Sequence, residues 1–283
     1  MFDLLALQPV DYLVIGHLAV DRIPSGKRLG GTSAYAALTA RALGLRAGIV
    51  TSSASDMPLE SLEGIPVYSI PASTSTTFEN VYLDSGRTQV LHARAETILP
   101  ENIPQVWSSA PIIHLAPIAA EIQPDLAAGL SATLLGVTPQ GWLRTWDDSG
   151  RVHAIPWEGA GLILPKAGAV VLSMEDVARD LEQIERIAHQ TRILCVTEGA
   201  AGSVVYWNGD RRRFRAPSVN EVDSTGAGDI FAAAFFVRLY NTRDPWEAAR
   251  FATQVASLSV ARSGLDGIPS PKEIEDCLME VLP

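Results

Sequence analysis

Asp223-Ser224-Thr225-Gly226-Ala227-Gly228-Asp229 runs directly into Ile230 to Tyr240, giving DSTGAGDIFAAAFFVRLY over residues 223–240. A glycine-rich turn here feeds an almost wholly apolar helix. The first amides of a helix have no carbonyl partners and point outward together. The helix dipole adds partial positive charge at the same end. Such a place holds a phosphate or another anion, and Gly226 and Gly228 allow a close backbone approach that a Cβ would block. Asp229 is out of place for a simple phosphate cradle, because a carboxylate repels a bare phosphate. It makes sense where a hydroxyl must lose its proton beside an incoming phosphoryl group. Asp229 is then the base, and the loop amides hold the developing charge. The segment also suits a plain helix start, where a first-turn Asp stabilises by a few tenths to about 1 kcal/mol. Asp223, Thr225 and the apolar helix behind them favour the chemical reading.

Working outward, short apolar runs alternate with helical patterns. Tyr12–Ile15 (YLVI), Ala47–Thr51 (AGIVT), Ile112–Leu115 (IIHL), Leu134–Val137 (LLGV), Ala169–Leu172 (AVVL) and Ile193–Thr197 (ILCVT) read as strands. Continuous Val/Ile/Leu runs suit strands buried on both faces. Thr32–Leu43 reads as a helix closed by Gly44. Residues Met174–Thr191 read as another. Strand–helix–strand alternation predicts an α/β fold with a mostly parallel sheet and helices on both sides.

Residues 65–98 break the pattern. They alternate at period two and are rich in Thr, Val and Tyr, with Asp84-Ser85-Gly86 as a hairpin turn. Val20 to Leu29 is a second short β segment around Pro24-Ser25-Gly26. Together, 20–29 and 65–98 form a small β lid standing off the main sheet, or else an antiparallel extension of its edge. No linker divides the chain, so residues 1–283 form a single domain carrying this lid. The basic run Asp210–Arg215 follows Trp207-Asn208-Gly209 and reads as a solvated hairpin.

The chain has 283 residues, 47% of them hydrophobic, which is enough for one large domain and too apolar for disorder. Its 22 Lys+Arg against 32 Asp+Glu give a net charge of −10. That balance argues against nucleic acid or an anionic membrane surface as a partner. Two cysteines, Cys195 and Cys277, cannot build a disulfide framework, which fits a reducing compartment. Cys195 sits in an apolar run as a buried small hydrophobe. The N-terminal stretch is broken by Asp3, Pro9 and Asp11 and lacks a basic leader, so the expected location is the cytoplasm.

The 223–229 segment resembles the D-T-x-G-A-G-D signature of the PfkB/ribokinase family of carbohydrate kinases, with Ser224 at a usual Thr. Gly16–Asp21 (GHLAVD) resembles the family's first-strand segment, and Gly30-Gly31 before the helix TSAYAALTARALG its di-glycine element. Thr197-x-Gly199-x-x-Gly202 resembles the turn beside the nucleotide. FATQVASLSVARSGLDGIP (251–269) resembles the segment flanking the adenine. The resemblance implies a ribokinase-like three-layer α/β/α fold with a β lid, ATP as donor and Mg²⁺. Carried over by position, Asp229 is the catalytic base, and Gly226, Ala227 and Gly228 form the anion hole. Asp21, Gly30 and Gly31 lie on the substrate side, while Thr197, Gly199, Gly202, Asp223 and Thr225 lie on the nucleotide side. The resemblance leaves room for K⁺ and for a homodimer joined through the lid.

Two positions depart from the family. Thr32 stands where many members carry a sugar-contacting Asn, and one short hydroxyl replaces an amide of longer reach. Ser173-Met174-Glu175-Asp176 stands for N-x-x-E, leaving Asp176 or the neighbouring Glu175 to act on the metal. HLAPIAAEI (114–122) and QGWLR (140–144) are similar to segments of the subgroup that contains myo-inositol kinase. Gln140 and Arg144 are thus substrate-side residues, or alternatively a strand-end turn and a surface charge. No P-loop and no dinucleotide fingerprint is present, and the five histidines show no ligand spacing. The expected function is ATP-dependent phosphorylation of a hydroxyl on a sugar, a polyol (inositol among them) or a nucleoside. The rival is a non-catalytic sugar- or nucleotide-binding regulator on the same fold.

Overall fold

The computed structural model describes residues 7–24, 26–83 and 86–278. Ser25 and the Asp84-Ser85 part of the expected hairpin turn lie outside them. In chain order the strands are β1 (Tyr12–Ile15), β2 (Ala19–Ile23), β3 (Gly26–Gly30), β4 (Ala47–Ser53), β5 (Val67–Pro71), β6 (Thr76–Leu83), β7 (Gly86–Ala93), β8 (Ile112–Leu115), β9 (Leu134–Val137), β10 (Arg144–Trp146), β11 (Val152–Ala154), β12 (Ala169–Ser173), β13 (Ile193–Thr197), β14 (Ser203–Trp207) and β15 (Asp210–Phe214). The helices are α1 (Thr32–Ala42), α2 (Ala160–Ile163), α3 (Leu181–Gln190), α4 (Ala227–Thr242), α5 (Pro245–Ser259) and α6 (Pro271–Cys277).

The main sheet runs β15-β14-β13-β12-β9-β8-β1-β4-β5. From β13 to β5 every pairing is parallel, and the β13–β14–β15 meander is antiparallel. Alternation along each strand splits the interior in two. Tyr12, Val14 and Ile49 face one core with α1, α4 and α5. Leu13, Ile15, Ile113 and Leu194 face the other, with Ile184 and Ile187 of α3. α4 is apolar around its circumference because it packs against both α1 and α5 as well as the sheet. Its Phe235 and Phe236 are fully buried, each contributing roughly 1.5–3 kcal/mol.

A separate four-stranded sheet, β3-β2-β6-β7, stands beside the first. It is narrower than the sequence pattern suggested. The sequence pattern places Val67–Pro71 in the lid, whereas the strand pairs in parallel with Ile49–Ser53 as the edge of the main sheet. Period-two alternation marks a strand without saying which sheet it joins. A second correction concerns Met174–Thr191. Only Leu181–Gln190 is helical, started by Asp180, whose Oδ1 accepts from the Gln183 amide at 3.0 Å. Before it the backbone turns through Ala178 and Arg179 at φ 49° and 62°.

At the β14–β15 turn, Asn208 and Gly209 take φ 52° and 80°, as a tight hairpin requires. The basic run that follows is engaged by its own chain. Arg213 bonds Glu198, Arg212 lies over the Trp246 ring at 4.3 Å, and Arg211 pairs with Glu185. Cys195 and Cys277 are free and buried. Among the described residues, no helix is long and apolar enough to cross a membrane.

Candidate active site

A cleft of about 740 Å³ opens beside the N-terminus of α4. The lid and the start of α1 contribute Asp21, Thr32, Phe78, Asn80 and Gln89. The β13–β14 turn and α5 contribute Thr197, Gly199, Gly202, Thr253 and Ala256. Gly226 to Asp229 lie along it, with Gln140, Arg144 and the segment after β12. The cleft therefore gathers most of the residues singled out in the sequence. Asp223, Asp176 and Gly30 support it from behind.

Asp229 occupies the first turn of α4. Its Oδ1 accepts a 2.7 Å hydrogen bond from the Thr32 hydroxyl. Thr32 is buried, so the side chain at the departed sugar-contact position is spent on orienting Asp229. Burial pushes the Asp229 carboxyl up to about 6; the Thr32 bond and Arg144 pull it down, and Asp176 and Asp21 push it up. Thr32→Val removes the first of the lowering contacts while keeping the shape. The acid limb of the variant's kcat/KM profile is expected at higher pH than in wild type. An unmoved limb would separate Thr32 from the titration of Asp229.

The glycines have distinct local reasons. Gly31 caps α1 at φ 86°, and a Cβ there would lie 2.9 Å from the Ala19 amide and the His17 carbonyl. At Gly30 a Cβ would lie 2.3 Å from Asp21 Oδ2, so this glycine makes room for the carboxylate. Gly226 caps α4 at φ 81° with the Tyr35 ring against it, whereas a Cβ at Gly228 would meet only open space. That opening is the cleft itself.

Asp223 does not line the cleft. It binds loops together, accepting from Thr225 N at 2.9 Å, Gly264 N at 3.0 Å, Ser263 Oγ at 3.1 Å and Arg28 at 3.1 Å. These partners hold its carboxyl well below the usual range despite partial burial. Asp176 is likewise turned into the fold. Its Oδ2 accepts from the Ser173 amide at 2.8 Å, and Oδ1 lies 3.4 Å from Gln140 Nε2 and 4.0 Å from Arg144. Burial pushes it up. Glu175, beside it, lines the cleft. Among the described residues no cluster of three His, Cys, Asp or Glu side chains is set to hold an ion.

Several contributors were not legible in the sequence. Glu121 is fully buried and accepts from the amides of His17 (2.8 Å), Ile118 (3.0 Å) and Ala119 (2.7 Å), fixing the loop after β8 under the cleft. His17 joins that loop to the lid through Thr76 at 2.6 Å. Gln89 of the lid accepts from Arg144 at 2.8 Å and donates to Asn80 at 3.2 Å. Only tertiary pairing brings these residues together. Arg179, in a stretch whose sequence reads as helical, lies before α3 and lines the cleft.

The family model for pfkB family carbohydrate kinases matches residues 167–273, the part of the chain holding the glycine turns, Asp229 and α5. Over that part the chain is similar to pfkB family carbohydrate kinases. The cytidine kinase of Thermococcus kodakarensis is 26% identical over 271 residues, covering 87% of this chain and 95% of that protein. A pyrophosphate-dependent kinase in the ribokinase family, solved with a pyrophosphate analog and myo-inositol, shares the fold at a TM-score of 0.76. It is 21% identical, and the match covers 94% of this chain and 100% of that one. Arabidopsis thaliana ribokinase, solved with ribose and ATP, aligns at a TM-score of 0.71 and 19% identity over 95% of this chain and 99% of that one. The ribokinase-like three-layer architecture expected from the sequence is thus the observed one.

Proposed function

We propose that this protein is a kinase that transfers the γ-phosphoryl group of ATP to a hydroxyl of a sugar, polyol or nucleoside, with Asp229 as the base. The reading is carried by one observation above the others. A carboxylate pushed up to about 6 stands in the first turn of α4, oriented by Thr32, beside a glycine turn that opens into the cleft. The acceptor hydroxyl gives its proton to Asp229 as its oxygen bonds to the γ-phosphorus. The bond from that phosphorus to the bridging oxygen breaks, and ADP leaves with the electron pair. The first-turn amides around Gly226, Ala227 and Gly228 take up the charge that builds on the transferred group. Closure of the lid over the acceptor excludes water and limits wasteful hydrolysis.

ATP is supported as donor by the extent of the cleft beyond the glycine turn. Ala216, Pro217, Val219, Ala256 and Val260 supply an apolar lining suited to a base, next to Thr197, Gly199 and Gly202. Mg²⁺ would neutralise donor phosphate charge. The residues suit an ion that keeps most of its ligands as water and phosphate oxygen, with Glu175 as the carboxylate facing it. Asp176, committed to Ser173 and Gln140, acts by holding that loop. The pyrophosphate-dependent relative makes donor choice worth measuring directly: ATP should support turnover and inorganic pyrophosphate should not.

Asp21, Asn80, Gln89 and Arg144 give the acceptor end polar groups suited to several hydroxyls. Gln140 serves through Asp176. Asp21→Ala is expected to raise acceptor KM roughly 10- to 100-fold, the worth of hydrogen bonds to a charged group, with ATP KM nearly unchanged. Deoxy analogues should lose less from the substitution than fully hydroxylated acceptors. Parallel loss for ATP and acceptor would remove Asp21 from the acceptor subsite.

A further inference from the structure

The cleft is acidic. Asp21, Glu175, Glu198, Glu221 and Asp229 all line it, and its cationic side chains among the described residues are Arg144 and Arg179. Arg144 is committed to Gln89 at 2.8 Å and lies 4.0 Å from Asp176. Arg179 has no hydrogen bond or ion pair from its guanidinium among the described residues, although Asp180 and Glu182 follow closely and both pair with Arg186. A phosphoryl donor brings several negative charges into this space, so a cation is needed to meet them.

The backbone places Arg179 on the side where a donor would lie. Ser173 is the register partner of Thr197 across β12 and β13. The Met174 amide bonds the Thr197 carbonyl at 3.0 Å, and the Arg179 amide bonds the Met174 carbonyl at 2.9 Å. The segment carrying Arg179 is therefore stitched to the Thr197–Gly202 turn. It holds its shape through two successive left-handed residues, Ala178 at φ 49° and Arg179 at φ 62°. Residues bearing a Cβ rarely adopt that conformation, and surrounding structure retains it most often at functional sites. Glycine at either position would relieve it, yet the chain keeps a long guanidinium there.

We infer that Arg179 is the donor-phosphate cation of this cleft, its guanidinium binding terminal phosphate oxygens of the phosphoryl donor. The inference rests on the kinase reading and adds a residue that none of the sequence motifs contains. A planar guanidinium suits two phosphate oxygens at once. It also compensates for a segment whose Asp176 is turned away from the cleft.

Binding of ADP, inorganic pyrophosphate and adenosine to the full chain, measured calorimetrically, tests it. Arg179→Met should weaken ADP and pyrophosphate about tenfold or more while adenosine stays within about twofold. Arg179→Lys should recover part of the loss. Arg179→Gly should lose the same phosphate affinity with a Tm equal to or above wild type, because glycine takes the left-handed conformation freely. In turnover, Arg179→Met should raise donor KM and leave acceptor KM alone. Unchanged ADP and pyrophosphate binding in Arg179→Met, or a parallel fall for adenosine, would overturn the assignment while an active wild type kept the kinase reading intact. A wild type that binds neither ADP nor pyrophosphate and releases no ADP with any hydroxyl compound would overturn both.

Discussion

Asp229→Asn is expected to lower kcat by about 10²–10⁴ while ATP affinity stays within a few-fold of wild type, because the amide keeps the shape but accepts no proton. The same substitution should alter stability in a pH-dependent way. The folded-state value, about 6, lies above the ordinary 3.8. Below about pH 4 both folded and unfolded chains hold the proton, and the carboxyl costs nothing. As pH rises from there to 6 the unfolded chain ionises first, and above 6 the folded chain carries a charge it disfavours by up to about 3 kcal/mol. The asparagine variant escapes that cost. Its Tm should exceed wild type at pH 8, and the gap should close towards pH 4. A variant both inactive and equally stable at every pH would place the carboxylate in a well-solvated setting. One with near-wild-type turnover would end its role as base.

The second large effect separates two glycines that look alike in sequence. Gly226→Ala forces a Cβ onto a residue at φ 81°, with Tyr35 ring atoms 2.2–2.5 Å away. Left-handed strain of about 1–2 kcal/mol and overpacking of about 1–3 kcal/mol then add. In a domain of this size that is a Tm loss of roughly 5–15 °C. Gly228→Ala meets no atom within 4 Å in the structure. It should fold as well as wild type or better, since Ala favours a helix over Gly by up to about 1 kcal/mol. Yet it puts a methyl into the opening that the proposed reaction assigns to the transferred group. A kcat loss of about 10²–10³ with little change in acceptor KM is expected. Thermal melts and steady-state kinetics on the pair check this. An effect of Gly228→Ala confined to KM would mean that the turn holds the ground state and gives the transition state no extra support.

The parts of this molecule legible in the sequence are those fixed by local rules. Strands such as Ile193–Thr197 are buried on both faces and read as continuous apolar runs. The α4 turn is legible because glycine, glycine and aspartate at that spacing answer to helix-end electrostatics. The parts that escaped depend on tertiary pairing. Val67–Pro71 alternates like a lid strand, and only its register with Ile49–Ser53 places it in the main sheet. Ala178 and Arg179 look helical by composition, and their left-handed turn is imposed by bonds to Met174 and Glu175 carbonyls. Thr32 reads as a weakened sugar contact until its hydroxyl is found on Asp229, 197 positions away. Glu121 sits in an apolar run that gives no sign of the three backbone amides converging on it.

Asp229 is proposed to take the proton from an acceptor hydroxyl during phosphoryl transfer from ATP. The most direct measurement is hydroxyl-dependent ADP formation, with product phosphorylation followed by phosphorus NMR, in wild type and Asp229→Asn. A panel of sugars, polyols and nucleosides is supplied with ATP and Mg²⁺. At least one acceptor should yield ADP and phosphorylated product in equal amounts, with the wild-type rate rising through about pH 6 and falling at least about 10²-fold in the variant. Equal rates for the two proteins on the best acceptor, or ADP formation indifferent to every hydroxyl compound, would contradict it.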